Sequence, residues 1–264
     1  MKVEQSCKIL EKRRLTQDAV LMTLAVGDMV SSAAGNTGRP IRPGQFLHIK
    51  CGEGLLLRRP ISICDWTQSG DGDTVTIVFE ARGEGTAWLA RRPEGHTVDV
   101  LGLLGSGFQM GGGPYLLVGG GIGVPPMLGC AKACGGASTA ILGFRSKDRA
   151  ILLDEFGRHC AGVRIATDDG SLGHHGFVDE LVRQELEKGR RYQGVLACGP
   201  KPMLKSVAKA AAEFGVPCQV SMEERMACGV GACLGCAVAM KDKTVKHVCK
   251  DGPVFDAQEV DWDA

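Results

Sequence analysis

Four of the twelve cysteines of this 264-residue chain stand as Cys228-x4-Cys233-x2-Cys236-x12-Cys249, a spacing that few folds can use. Three thiols within nine residues wrap one face of a compact centre, and the fourth must return to it from a hairpin. The order C-x4-C-x2-C…C is the plant-type [2Fe–2S] spacing. Gly229, Gly231 and Gly235 fit it, because glycine lets the backbone turn tightly and aim N–H groups at sulfur. A four-cysteine zinc site is the competing use of the same thiolates, although zinc usually takes two C-x2–4-C knuckles and Cys249 has no near neighbour. Free thiols are the third possibility.

Lys plus Arg number 31 and Asp plus Glu 30, a net charge of +1, which argues against a nucleic-acid partner held by a strong field. The first residues, MKVEQSCKILEKRRL, mix charges and lack the apolar core of a secretory signal. The most apolar stretch, Tyr115–Leu128, contains four glycines and two prolines, so no membrane span is expected. A cytoplasmic chain follows as the expectation, and there structural disulfides are rare. Cys7, Cys51, Cys64, Cys130, Cys134, Cys160 and Cys218 show no ligand spacing and read as small apolar packing residues.

The length predicts about two domains at roughly 150 residues each. Asp73–Glu80 alternates, with Val75, Ile77 and Phe79 on one face, and Ala19–Val26, Gln45–Lys50 and Thr97–Leu104 are further short apolar runs between turn signals. This spacing predicts an antiparallel β-barrel over residues 1–110, with glycine-rich Gly105–Gly113 as linker. Residues 111–220 change to strands alternating with helices. Tyr115–Val118, Thr139–Phe144, Val163–Thr167 and Gly194–Ala197 read as strands, Val178–Lys188 and Lys201–Glu213 as helices, which predicts a doubly wound parallel sheet. Residues 221–264 form a small cysteine-rich module. Its acidic end, FDAQEVDWDA, reads as a solvated terminus from which Phe255 and Trp262 could dock, and His174-His175 as a surface pair.

Three further motifs suit phosphate. Arg58-Arg59-Pro60-Ile61-Ser62 sets a charged fork and a hydroxyl beside a proline-fixed turn, although such turns are usually solvated surface. Arg82-Gly83-Glu84-Gly85-Thr86 leads into a short helix over Ala87–Arg91, with Thr86 at its N-terminus either as a phosphate contact or as a plain cap. Gly119-Gly120-Gly121-Ile122-Gly123 joins a strand to a helix like a dinucleotide turn, but Val124 occupies the last glycine place of G-x-G-x-x-G, and Phe144-Arg145-Ser146 stands where an acidic residue would follow the next strand. Cys198-Gly199-Pro200 lies at another strand's carboxyl end, where such sheets bind ligands, with a buried structural thiol as the alternative for Cys198.

The order RPIS, GEGT, GGGIGVPP, CGPKPM, MACGVGACLGC resembles the ferredoxin–NADP-reductase superfamily with a C-terminal iron–sulfur extension. Within it, the chain is similar from about Cys7 to about Asp256 to the electron-transfer subunits of class B dihydroorotate dehydrogenases of pyrimidine (UMP) synthesis. The resemblance implies FAD against Arg59, Pro60, Ile61 and Ser62, along Val78, Phe79 and Glu80, and on Gly85 and Thr86. It implies NAD at Gly119, Gly120, Gly121, Gly123, Cys198, Gly199 and Pro200, with Cys198 near the nicotinamide, and a [2Fe–2S] cluster on Cys228, Cys233, Cys236 and Cys249. It further implies an FMN-containing catalytic subunit as partner in a heterotetramer of two plus two, from which electrons pass through the cluster and FAD to NAD+. Such a chain is an oxidoreductase component that does not itself oxidise dihydroorotate. Two other readings remain. One is a related reductase serving a hydrogenase or glutamate synthase type partner, with Arg145 hinting at NADP. The other is a zinc-binding interaction module without redox chemistry.

Overall fold

A computed structural model describes residues 3–27, 29, 41–69 and 72–264 of the chain. Alternation in the first part produces inward aliphatic and outward polar rows. β1 (Val3–Arg14), β2 (Ala19–Gly27), β3 (Phe46–Ile49), β4 (Arg59–Thr67), β5 (Asp73–Glu80) and β6 (Thr97–Leu104) close an antiparallel barrel in the order β1-β2-β5-β4-β3-β6. Ile9, Met22, Leu24, Leu47, Ile49, Ile63 and Ile77 fill it, while outside it the Thr23 and Thr76 hydroxyls meet at 3.1 Å. Helix α1 (Glu84–Ala90) packs Leu89 and Trp88 against this core, and the Arg92 guanidinium lies 4.4 Å above the Trp88 ring.

Gly105–Gly113 connects the halves but is not a free tether. The Gly105 carbonyl accepts from Gln45 Nε2 at 3.1 Å, Phe108 N donates to the Pro43 carbonyl at 2.8 Å, and the Phe108 ring is buried.

Beyond it come β7 (Leu116–Gly120), α2 (Val124–Ala133), β8 (Thr139–Phe144), α3 (Leu153–His159), β9 (Gly162–Thr167), β10 (His174–His175), α4 (Val178–Glu187), β11 (Val195–Cys198), α5 (Lys201–Glu213) and β12 (Cys218–Ser221). These strands form a parallel sheet in the order β10-β9-β8-β7-β11-β12. β7 and β11 are buried along their whole length, as central parallel strands covered by helices on both faces must be. The chain winds outward from β7 to β9, then returns to start β11 on the other side. The crevice between β7 and β11 is therefore the switch point at which doubly wound sheets bind ligands.

The last segment has little regular structure. β13 (Ala237–Ala239) and β14 (Val245–His247) form a hairpin, and β15 (Val254–Asp256) adds antiparallel to β12 as the edge of the large sheet. Phe255 is thereby buried in the common core, and Trp262 packs against it with Nε1 donating to the Ala257 carbonyl at 3.0 Å. Lys205 pairs with Asp263, so the acidic end is anchored to the body and not simply solvated. No helix among the described residues is long and apolar enough to cross a membrane.

Candidate functional site

Two adjacent arginines at the start of β4 have different surroundings. Arg58 Nη2 lies 3.0 Å from both carboxylate oxygens of Asp99, also pairs with Glu4, and Nη1 donates to the Asp99 carbonyl at 3.1 Å. It ties β4 to β1 and β6. Arg59 donates only to the Leu57 and Arg58 carbonyls, and among the described residues no carboxylate neutralises it. Its side chain crosses Gly85, where an added Cβ would come within 2.6 Å of Nε. The RPIS and GEGT motifs are thus brought together into a cradle with an unneutralised guanidinium over bare backbone, which fits a pyrophosphate.

RPIS is strand, not turn: Pro60 opposes His48 and Ser62 opposes Phe46 across the β3–β4 ladder. Thr86 is the third residue of α1 and not its cap. Its hydroxyl accepts from Arg82 N at 3.1 Å and Gly83 N at 3.2 Å, which folds the turn in front of the helix. Val78 and Phe79 place their side chains in the cores, so only their backbone is free for a ligand, whereas Glu80 faces a cleft.

That cleft, about 980 Å³, is lined from both halves of the molecule: Asp18, Glu80 and Arg82 from the barrel, Gly120–Gly123 after β7, Arg145 after β8, Asp168 after β9, and Gly199 and Pro200 after β11. Its glycines have different reasons. A Cβ on Gly123 would lie 2.4 Å from the Cys198 carbonyl oxygen, and one on Gly120 2.3 Å from Met203 Sδ, so these two let the β7 and β11 loops interlock. Gly121 has a left-handed φ of +53° and nothing before it, so its backbone is what the cleft presents to a ligand. Cys198 is in the core and does not line the cleft. Burial, aided by Glu223, pushes its thiol up to about 12, which keeps it neutral. Burial also raises Glu223, which does line the cleft.

In the C-terminal segment the backbone turns toward sulfur. Cys228 Sγ accepts from Val230 N at 3.4 Å, Ala232 N at 3.2 Å and Cys233 N at 3.4 Å, Cys249 Sγ from Gly231 N at 3.2 Å, and Cys236 Sγ from Cys249 N at 3.4 Å. Burial opposes ionisation of Cys228, but these N–H donors prevail and bring its thiol down to about 6. The side chains meet as pairs, Cys228 with Cys233 and Cys236 with Cys249. Among the described residues no group of three or more His, Cys, Asp or Glu is gathered about one point as a single ion requires. Thiols paired in this way, with amide donors on their sulfurs, suit a binuclear centre that takes two sulfur ligands on each iron. Cys236 and Cys249 are buried and Cys233 is exposed, so one edge of the site faces solvent.

His174 and His175 form the edge strand, with His174 Nε2 2.7 Å from Glu180 Oε2. The residues that the sequence motifs missed are Asp168 and Glu223 in the cleft and His48 beside the cysteine loop, whereas Arg82, named with the GEGT motif, turns out to line the cleft. His48 was legible only as the one polar residue in the apolar run FLHI.

Comparison with known proteins identifies the family. Residues 223–261 match the iron–sulfur cluster binding domain of dihydroorotate dehydrogenase B. The dihydroorotate dehydrogenase B (NAD(+)) electron transfer subunit of Caldanaerobacter subterraneus subsp. tengcongensis is 36% identical, over 98% of this chain and 99% of that one. Its counterpart in Geobacillus thermodenitrificans is 44% identical over 83% of this chain and 86% of that one. Among solved structures, a chain from the NADH-dependent reduced ferredoxin–NADP oxidoreductase studied for flavin-based electron bifurcation superposes with a TM-score of 0.84 at 32% identity, covering 97% of this chain and 90% of its own. A zinc-binding module and a hydrogenase or glutamate synthase subunit are both disfavoured by these relatives. The chain belongs to the electron transfer subunits of dihydroorotate dehydrogenase B, oxidoreductase components that join a ferredoxin–NADP-reductase-like fold to a C-terminal iron–sulfur domain.

Proposed function

We propose that this chain converts between one-electron and two-electron carriers, taking electrons released from dihydroorotate by an FMN-containing catalytic subunit and delivering them to NAD+. The observation that carries the proposal is the convergence of three kinds of site: the thiol pairs, the Arg59–Gly85 cradle, and a cleft lined by both halves. When bound, a [2Fe–2S] cluster passes single electrons, FAD accepts them singly and releases a hydride, and NAD+ accepts only hydride.

The chain's own residues account for the holding and orienting. Cys228, Cys233, Cys236 and Cys249 ligate the cluster, and the amides of Val230, Gly231 and Ala232 stabilise charge on its sulfurs. Arg59 clamps the FAD pyrophosphate, Gly85 leaves room for it, and Thr86 holds the adjoining turn through its hydroxyl. Pro60, Ile61 and Ser62 on β4, with the backbone of Val78, Phe79 and Glu80 on β5, support the flavin. Gly121, with Gly119, Gly120 and Gly123 shaping the turn, and Gly199 with Pro200 receive NAD at the switch point. Cys198 bounds the nicotinamide end through its backbone and volume, not as a thiolate. Asp168 in the cleft favours ribose hydroxyls over a 2′-phosphate, against the pull of Arg145.

The units are residues 1–110 for FAD, 111–220 for NAD and 221–264 for the cluster. The assembly is a cytoplasmic heterotetramer of two catalytic and two electron-transfer subunits. The test is co-purification with the catalytic subunit under anaerobic conditions. The expected result is a coloured complex that reduces NAD+ with dihydroorotate and prefers NADH to NADPH in the reverse, dye-linked direction. A colourless protein, or a strong NADPH preference, contradicts the reading.

A further inference from the structure

His48, in the middle of β3, is completely buried, yet neither of its ring nitrogens makes a hydrogen bond of ordinary length, and the Arg58 backbone gives the ring only a weak interaction, smaller than the opposing effects of burial and of the Arg58 charge. Buried polar side chains are almost always satisfied, so an imidazole without an ordinary hydrogen bond marks a place that something bound completes. Burial, and after it the positive charge of Arg58, hold the ring down to about 4, so it is neutral and carries one N–H donor and one lone pair.

Its surroundings say what completes it. A Cβ built on Gly229 would lie 2.5 Å from His48 Nδ1 and 3.0 Å from Cε1, so only a bare backbone, here with φ of +68°, lets the cysteine loop come this close. Gly229 follows Cys228 directly. Phe46, two residues away on β3 and so on the same face of the strand, shares a buried core with Cys236 and Cys249. Pro60 of the RPIS strand stands directly opposite His48 and so also shares its face. His48 thus lies between the thiol loop and the strand assigned to the flavin.

We infer that His48 is a positioning residue for the iron–sulfur centre, its ring N–H donating a hydrogen bond to a sulfur of the cluster on the side that faces the flavin strand. The inference rests on the assignment of the cluster to Cys228, Cys233, Cys236 and Cys249. A donor to sulfur stabilises the more negative, reduced cluster and raises its potential. Removing the donor therefore lowers the potential. The substitution His48→Gln keeps a donor of similar reach, whereas His48→Phe fills the space without one.

The experiment is a redox titration followed by electron paramagnetic resonance on the whole flavin-loaded protein, comparing wild type, His48→Phe and His48→Gln. The expected result for His48→Phe is an intact [2Fe–2S] signal with altered g-values and a reduction equilibrium shifted about tenfold toward the oxidised form, about 59 mV for one electron. His48→Gln returns toward wild type, and the flavin spectrum and potential stay unchanged in both. An unshifted His48→Phe overturns the inference, as does a shift equal in both variants, which reflects packing, or a change confined to the flavin. If His48→Phe does not fold, His48→Leu takes its place: the same tenfold shift supports the inference and an unshifted potential overturns it. A wild-type protein with no [2Fe–2S] signal would instead remove the cluster assignment itself, a failure distinct from that of His48.

Discussion

β2 and β5 of the barrel run nine and eight residues side by side, whereas β13, β14 and β15 of the C-terminal segment are three residues each. The long strands carry a continuous aliphatic core, and the barrel has no open edge. An isolated hairpin of three-residue strands has no such resource and is marginal at best. The C-terminal segment draws its order from elsewhere. Cys236, Val238, Val248, Cys249 and Phe255 are buried with Phe46, Leu104 and Val220 of the body, β15 completes the body's sheet, and Ser106 N donates to the Gly252 carbonyl at 2.6 Å. What remains, residues 227–235, is fixed chiefly by amides turned to sulfur, and a metal centre is what makes such turns worth forming. The body is shaped by its core, the loop by what it holds.

The largest expected effect follows from that contrast. Stripping the cluster should raise proteolytic cleavage within residues 227–235 by more than about tenfold, because local opening is no longer opposed by ligation. The body should keep its melting temperature and its NADH–dye activity. A body that melts together with the loop, seen by limited proteolysis and scanning calorimetry, breaks the comparison.

Gly123→Ala probes the body at the point where two backbones touch. The new Cβ would meet the Cys198 carbonyl at 2.4 Å, neither side can rotate away, and a loss of about 2 kcal/mol with a fall in Tm of roughly 5 °C is expected. The equivalent change at Gly121, which faces open space at φ +53°, costs less stability but more NAD affinity, so denaturation and binding isotherms together separate the two glycines.

The two arginines sharpen the same distinction. Arg59→Ala should weaken FAD binding by about 10- to 100-fold, the worth of one charge-assisted contact, and leave the apoprotein's stability unchanged. Arg58→Ala should do the reverse: it loses the Asp99 contacts that hold β4 to β6 and costs about 1–2 kcal/mol, with FAD affinity nearly preserved. Equal effects of both on FAD affinity, measured by fluorescence titration, would mean that neither role is distinct.

The smallest effect lies far from any cofactor. Burial raises the Glu185 carboxyl, but hydrogen bonds from Lys188 at 2.6 Å and Tyr192 at 2.8 Å outweigh it and leave it below its ordinary value. A depressed carboxyl contributes stability above its unfolded value, about 4.3, and loses it as pH falls through the folded one. Glu185→Gln should therefore cost about 1 kcal/mol at pH 7 and progressively less in acid, measured by urea denaturation across pH. A cost that grows in acid contradicts the assignment.

The sequence made these features legible to different depths. Alternation exposed β5, apolar runs between turn signals exposed β2, β3 and β6, and four thiols at a diagnostic spacing exposed the loop. β1 escaped because only Cys7 and Ile9 of its run turn into the core while charges cover the other side, and β4 because Pro60 and two arginines look like a turn. Within the site, motif reasoning reached the residues that backbone geometry constrains. It did not reach Asp168 or Glu223, whose roles depend on strands distant in sequence ending at one cleft. His48 is the sharpest case. Its neighbour Gly229 lies 181 positions along the chain, and nothing local to FLHI reveals that a cysteine loop closes over it.

The central claim is that the cysteine loop is the station through which electrons pass between the catalytic subunit and the cofactor cleft. The direct measurement is NADH formation from dihydroorotate and NAD+ by the reconstituted complex, carrying either the wild-type chain or Cys233→Ala. The account predicts that the variant loses this turnover by more than about 100-fold, beyond the 10- to 100-fold that even outer partners of a metal ligand are worth, while NADH–dye activity through the flavin is largely retained. Unchanged dihydroorotate-driven NADH formation by a variant shown to lack the cluster would contradict it.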